Sequence, residues 1–459
     1  MTRSTATPAL GGFPSVIPRR LSLRDCQRNM VEYAFPRDKI ALFVDMRLGK
    51  TLAVIRWAKS ARRKRILIVA PYSALAGWEQ QLIADGEICI EYLTGTKEQR
   101  LKNLWKKSKW SLINKEGYRS IPDIKYVSWD AIIIDESTFI KSHTSQVTQI
   151  YLKNFKDVPY KAILTGTPAP ESELEYYCQL EFLFPGIWGT SNFYEWRFKN
   201  FAPSTDGTRW FATVEGRKRI AAVLEKHCFF LSRKDANLGG EKIYRTRKIQ
   251  LPSAIRTAYS NLEKSFILEI SGKEIDKTLF ATTAFIWMRR LCGGVVDGKL
   301  RHKAKLDDLV DLLTGELANE QVVVWAVFVD EIKAITERLF KKGIPASFIY
   351  GGVSPRDREG IRQRFSDGVY RVLVCQPECF RHGIDLSTAE TMIYYSSPTG
   401  LETRLQTEDR IVDVTKRNSL LIIDMVAENS VDEDIAKALG KKEGRSEMMR
   451  TIIKGMQCR

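Results

Sequence analysis

Short runs of apolar, β-branched residues recur along this chain and alternate with helix-length amphipathic segments. Ala41 to Asp45, Ile66 to Pro71, Ala131 to Glu136 and Lys161 to Thr165 form one series. Val322 to Phe328, Ala346 to Tyr350, Arg371 to Cys375, Thr391 to Tyr395 and Leu420 to Met425 form a second. The runs are continuous rather than alternating, as in parallel strands covered on both faces. Thr51 to Lys59, Glu331 to Lys342, Pro355 to Phe365 and Leu401 to Val412 carry helical spacing between them. Strand–helix alternation of this kind predicts an α/β chain with two doubly wound parallel sheets.

Between the two series, residues 173–300 lose the strand rhythm. Aromatic residues (Trp188, Phe193, Tyr194, Trp196, Trp210, Phe211) mix there with Arg197, Lys199, Arg209, Arg217, Lys218 and Arg219. The expected organisation is an arm over 1–20, a first α/β lobe over 21–172, a mainly helical insertion over 173–300, a second lobe over 301–438 and a basic tail over 439–459. No period suggests a solenoid.

Composition narrows the class. A chain of 459 residues has room for two or three cored domains. Its 44% hydrophobic and 28% charged content is that of a globular protein. The apolar runs are far too short to span a membrane, and no apolar core follows the basic N-terminus, so neither a membrane protein nor a secretory signal is expected. The eight cysteines contain no Cys-x-x-Cys pair, and Cys375 and Cys379 near His382 lack a second ligand pair, which points to reduced thiols in the cytoplasm. A net charge of +17 with a pI near 9.4 draws a polyanion, and nucleic acid is the usual one.

The motifs carry the chemistry. Leu48-Gly49-Lys50-Thr51 follows a strand and opens a helix, the setting of a phosphate-binding loop. Backbone N–H groups there face the anion, Lys50 reaches the outer phosphates and Thr51 offers an oxygen to magnesium. The strict pattern is broken by Val44 and Arg47, which stand where glycines are usual. Downstream, the strand Ala131 to Ile134 ends in Asp135 and Glu136. At the carboxyl edge of a parallel sheet, Asp135 can hold magnesium while Glu136 orients or deprotonates the attacking water. Leu164-Thr165-Gly166-Thr167-Pro168 then makes a strand-end turn suited to sensing the terminal phosphate.

In this order the motifs resemble the Swi/Snf-like branch of the superfamily 2 helicase-type ATPases, in a compact bacterial or viral form. The likeness runs from Leu23 to about Ala438. It implies two RecA-like P-loop NTPase lobes closing on one ATP with magnesium. Gln27 looks like the adenine contact, with Arg47, Leu48, Gly49, Lys50 and Thr51 at the phosphates. Ile68 to Leu75 with Trp78-Glu79 is similar to motif Ia, placing Pro71 and Ser73 on nucleic acid, and Phe182 to Gly186 and Arg289 to Cys292 resemble lobe-linking elements. In the second lobe Tyr350-Gly351 would touch nucleic acid, as Thr165, Gly166 and Thr167 would couple it to the nucleotide in the first. Arg381 to Leu386 resembles motif V, adding Gly383 and Asp385 to the cofactor site. Gln406 to Arg410 resembles motif VI, with Gln406 in the catalytic set and Arg410 as an arginine finger beside Lys50, Asp135 and Glu136. Family members carry a second arginine three residues later, where this chain has Asp413.

The resemblance implies a monomeric, DNA-stimulated ATPase that translocates on double-stranded DNA, in the cytoplasm or, if viral, the host's. A strand-separating helicase of replication, recombination or repair, and a nucleic-acid-binding protein that holds ATP but hydrolyses it poorly, remain open alternatives; Arg47 and Asp413 keep the last one alive.

Overall fold

A computed structural model of the chain describes residues 22–60, 63–204, 209–272, 277–380, 385–413, 418–441 and 456. The expected arm over 1–20 and nearly all of the basic tail fall outside them, as do Gly383 and His382.

The strands of the first lobe are β1 (Lys39–Val44), β2 (Ile66–Ala70), β3 (Ile90–Tyr92), β4 (Trp110–Asn114), β5 (Ala131–Asp135) and β6 (Tyr160–Thr165). A small antiparallel hairpin follows, β7 (Phe201–Pro203) and β8 (Trp210–Ala212), and then β9 (Cys228–Leu231) returns to the main sheet. The sheet has seven parallel strands in the order β3-β4-β2-β5-β6-β1-β9. Residues 131–134 of β5 are fully buried because one face packs on Trp57, Leu75 and Trp78 and the other on Tyr151, Phe155 and Leu180. That double covering is why the run reads as uninterrupted apolar sequence.

The second lobe begins with β10 (Lys242–Ile249). After a two-stranded ribbon, β11 (Val295–Val296) and β12 (Lys299–Leu300), come β13 (Val322–Trp325), β14 (Ala346–Ile349), β15 (Val372–Cys375), β16 (Thr391–Tyr394) and β17 (Leu420–Ala427). Six of these strands pair in parallel, in the order β10-β17-β16-β13-β15-β14. Both sheets are flanked by helices, the architecture of two RecA-like lobes.

Two expectations need correction. Residues 173–300 are mainly helical, through Tyr176–Leu183, Phe193–Asn200, Val214–His227, Ser253–Gly272 and Lys277–Gly293, but they are not one insertion. They donate β9 to the edge of the first sheet and β10 to the edge of the second, so the lobes meet in the linker over 232–241 rather than at 172 and 301. Both strands hide from a periodicity search because they are edges: β10 reads Lys-Ile-Tyr-Arg-Thr-Arg-Lys-Ile and is largely exposed. The helix expected over Leu401 to Val412 ends at Glu408. There the carboxylates of Glu408 and Asp409 are drawn to Lys242, at 2.9 and 3.0 Å, and Asp409 also to Arg233 at 2.7 Å. The chain leaves helical geometry there. Among the described residues no helix is long and apolar enough to cross a membrane.

Candidate nucleotide site between the lobes

Three neighbouring strands of the first sheet end at one edge. Register pairs Phe43 with Thr165 and Asp135 with Leu164, so the loop after β1, the acidic pair after β5 and the turn after β6 lie side by side. This is the carboxyl edge of a parallel sheet, where open α/β folds bind ligands.

The helix Lys50–Ser60 starts directly in the phosphate loop, leaving its first N–H groups without helical partners. Gly49 has φ +87°, and a Cβ there would sit 2.0 Å from Gln27 Nε2, so only glycine lets the two segments meet. Gln27 Nε2 donates to the Gly49 carbonyl at 3.3 Å while its Oε1 accepts from the Arg24 N–H, at 2.9 Å. Lys50 is buried, and its ammonium donates to the carbonyls of Val44 and Asp45. Leu48 is wholly buried, so only its backbone faces the loop's concavity. Thr51 lies one residue into the helix, partly exposed.

Asp135 and Glu136 are adjacent carboxylates in a desolvated site. Burial pushes Asp135 upward against the opposing pull of Trp78 and Lys50. Burial, then the Asp135 charge, pushes Glu136 up to about 7, while Lys50 and Arg410 pull it back. Glu136 has φ +53°, a left-handed conformation that costs a non-glycine residue of order 1 kcal/mol or more and that clusters at functional sites. Thr165 Oγ1 donates to Glu136 Oε2 at 3.3 Å and accepts from the Thr167 N–H at 3.2 Å. Thr165 is fully buried, and its hydroxyl acts inward on the carboxylate; Gly166 packs on Met46 and Val44 beside the phosphate loop.

The second lobe closes this edge. Arg410 is 9% exposed; burial first, then the neighbouring Arg47 charge, lowers its guanidinium to about 10, while Glu136 opposes the fall. Its Nη2 lies 4.0 Å from Met46 Sδ in the phosphate loop. Lys50, Asp135, Glu136 and Arg410, expected together from sequence, therefore share one buried region. Gln406 donates to Glu402 at 3.1 Å, and both line a cavity of about 290 Å³ that opens beside Glu136 and is completed by Lys115 and Thr138. Arg47 and Asp385, expected at the cofactor, instead pair with each other across the lobes at 2.6 Å. Pro71 and Ser73 at the end of β2, and Tyr350 and Gly351 at the end of β14, face the same carboxyl side of their sheets; Gly351 is exposed and its N–H donates to Gln376 at 3.0 Å.

Three contacts at the site go beyond the reading by motif. Trp78 Nε1 donates to Asp135 Oδ2 at 2.9 Å, which orients that carboxylate; a buried tryptophan N–H needs an acceptor, and that need was the available signal. Arg24 donates to the Arg47 carbonyl at 3.1 Å. Glu402, which raises Glu136 from the second lobe, gave no signal because its contact is made only by the tertiary fold.

The residues fit a magnesium nucleotide. A buried ammonium, unpaired helix-start N–H groups and two adjacent carboxylates pushed upward by burial make a donor set suited to phosphate and a hard cation. Thr51 and Asp135 would hold the metal, whose chemistry is to neutralise phosphate charge. Among the described residues no group of three or more His, Cys, Asp or Glu forms a protein-only metal cage.

Two parallel-sheet lobes with a phosphate loop, an acidic strand end and a cross-cleft arginine define a helicase-type P-loop ATPase. The SNF2-related domain family matches residues 27–292 and the helicase conserved C-terminal domain matches residues 304–414. The chain belongs to the SNF2-related family, in the Swi/Snf-like branch of superfamily 2. It is 24% identical over 441 residues to the ATP-dependent helicase brm of Drosophila melanogaster, covering 86% of this chain and 27% of that protein. To the SWI/SNF-related matrix-associated actin-dependent regulator of chromatin subfamily A-like protein 1 of Xenopus laevis it is 23% identical over 429 residues, covering 90% and 42%. To the ISWI chromatin-remodeling complex ATPase ISW1 of Saccharomyces cerevisiae it is 22% identical over 459 residues, covering 88% and 38%. The chain thus spans between about a quarter and two fifths of these relatives. Among solved structures, the Sulfolobus solfataricus SWI2/SNF2 ATPase core in complex with dsDNA aligns with a TM-score of 0.46 and 19% identity, over 97% of this chain and 96% of that one.

Proposed function

We propose that this chain is a DNA-stimulated ATPase that uses magnesium and ATP to translocate on double-stranded DNA. The observation that carries the reading is the burial of Arg410 from the second lobe against Met46 of the phosphate loop, within the field of Glu136. Such a site works only when the lobes are together, which is how a nucleotide event becomes a movement between them.

Lys50 and the loop N–H groups bind and orient the phosphates. Glu136, half-buried and held by Thr165, takes the proton of the attacking water. Arg410 stabilises the charge that develops on the transferring group. Magnesium supplies charge neutralisation when bound. The net charge of +17 and the strand-end loops at Pro71 to Ser73 and Tyr350 to Gly351 suit backbone phosphates contacted from both lobes, which gives weak sequence preference and strong salt dependence.

The test is phosphate release with and without duplex DNA, for wild type and Glu136→Gln. DNA stimulation that the variant abolishes supports the reading; equal inactivity of both assigns a binding role instead. Displacement of a triplex strand from blunt duplex, without unwinding of a forked duplex, supports translocation, and the reverse result assigns strand separation.

A further inference from the structure

Position 47 carries an arginine at φ +66°, where glycine would sit without backbone strain. Among the described residues, the hydrogen bonds its side chain donates go to the other lobe. Its Nη1 donates to the Val412 carbonyl, and its Nη2 to Asp385 Oδ1 at 2.6 Å and to the Arg410 carbonyl at 3.0 Å. The backbone of Arg47 is fixed in turn by Arg24. Both carbonyls belong to the segment that follows the end of the helix at Glu408. The Arg410 carbonyl also accepts from the Leu386 N–H at 3.0 Å, tying motif V to the same point. Asp385 is itself held by the Ser387 N–H at 2.9 Å.

We infer that Arg47 is a positioning residue: it rivets the phosphate loop to residues 410–412 and so sets where Arg410 is presented to Glu136. Lobe closure in this chain then depends on a cation within the phosphate loop. The inference rests on the ATPase reading for its kinetic consequence and on geometry alone for its structural one. Arg47 reaches lobe 2 rather than the phosphates, so its loss leaves nucleotide binding intact while misplacing Arg410.

The experiment compares full-length wild type, Arg47→Gly, Arg47→Lys and the double variant Arg47→Gly with Asp385→Asn. Three quantities are read: DNA-stimulated kcat and KM for ATP, affinity for a fluorescent ATP analogue, and radius of gyration by small-angle X-ray scattering. Arg47→Gly is expected to retain its melting temperature, because glycine relieves the backbone. It should bind the analogue within about threefold of wild type, lose about tenfold or more in kcat at unchanged KM, and expand in solution. Arg47→Lys, lacking the fork that spans three acceptors, should fall between the two. Adding Asp385→Asn to Arg47→Gly should cost little more than Arg47→Gly alone. Wild-type kcat, a raised kcat or an unchanged radius in Arg47→Gly overturns the inference. If wild type shows no ATPase at all, the functional reading fails while the radius still decides the rivet.

Discussion

The two sides of the cleft handle charge in opposite ways. On the first lobe, Asp135 and Glu136 sit side by side, and both are pushed upward by burial beyond what Lys50 offsets. On the second, Arg404 contacts Glu408 at 2.7 Å and Asp424 at 2.5 and 2.9 Å, and stacks 3.5 Å from the centre of the Tyr394 ring. Glu408 is held in turn by Lys242 and Tyr244, at 2.9 and 2.8 Å. The first arrangement stores electrostatic demand that a cation and phosphates would meet. The second is saturated and rigid, and it ends in Arg410, two residues beyond Glu408. The lesson is a division of labour: one side is built to react, the other to hold a single guanidinium in place.

The sharpest way to break this comparison is Arg410→Ala. It is expected to lower DNA-stimulated turnover by about a thousandfold with little change in melting temperature or ATP affinity, as for lost arginine fingers, measured by phosphate release. Arg404→Met should do the reverse. Removing the guanidinium leaves half-buried Asp424 with Ser397 alone and buried Glu408 with Lys242 and Tyr244, and costs about 3 kcal/mol, seen as an early melting of the second lobe by calorimetry. A variant that lost turnover but no stability there would dissolve the distinction. Trp78→Phe removes one hydrogen bond to Asp135, worth about 1 kcal/mol or roughly fivefold in kcat, with the magnesium dependence moved to higher concentration.

The smallest effect concerns Glu331, the second lobe's own exception. Burial, with Asp432 adding to it, raises Glu331 from 4.5 to about 7, against a hydrogen bond from Ser396 and the charges of Lys305 and Arg289. The folded state therefore holds a proton that the unfolded state releases. Its stability contribution is full below about pH 4.5 and is lost as pH climbs toward 7. Glu331→Gln should show a flatter melting temperature between pH 5 and 8 than wild type.

Much of this was legible in the sequence where burial is two-sided. β1, β2, β5 and β13 read directly as apolar runs because both faces are covered; the phosphate loop falls at the end of β1 and the acidic pair at the end of β5. The edge strands β9 and β10 were lost because solvent on one side lets charge and aromatic residues in. The helix after Gly400 was overextended because its periodicity continues through Ile411 and Val412, while ion pairs formed by distant residues end it. For the same reason the partners of Arg47 were invisible: phosphate loops are expected to turn toward a ligand, and nothing local to Arg47 announces acceptors more than 330 residues away.

The placement of β9 and β10 has a mechanical consequence. The linker over 232–241 leaves the first sheet from the end of β9 and enters the second at the start of β10, and each strand pairs in parallel with its neighbour, β10 along its full eight-residue length. A tug delivered through the linker along the strand direction loads every bond of a ladder at once, in shear, instead of peeling bonds one by one. The covalent tether between the lobes is thus anchored where resistance to pulling is greatest.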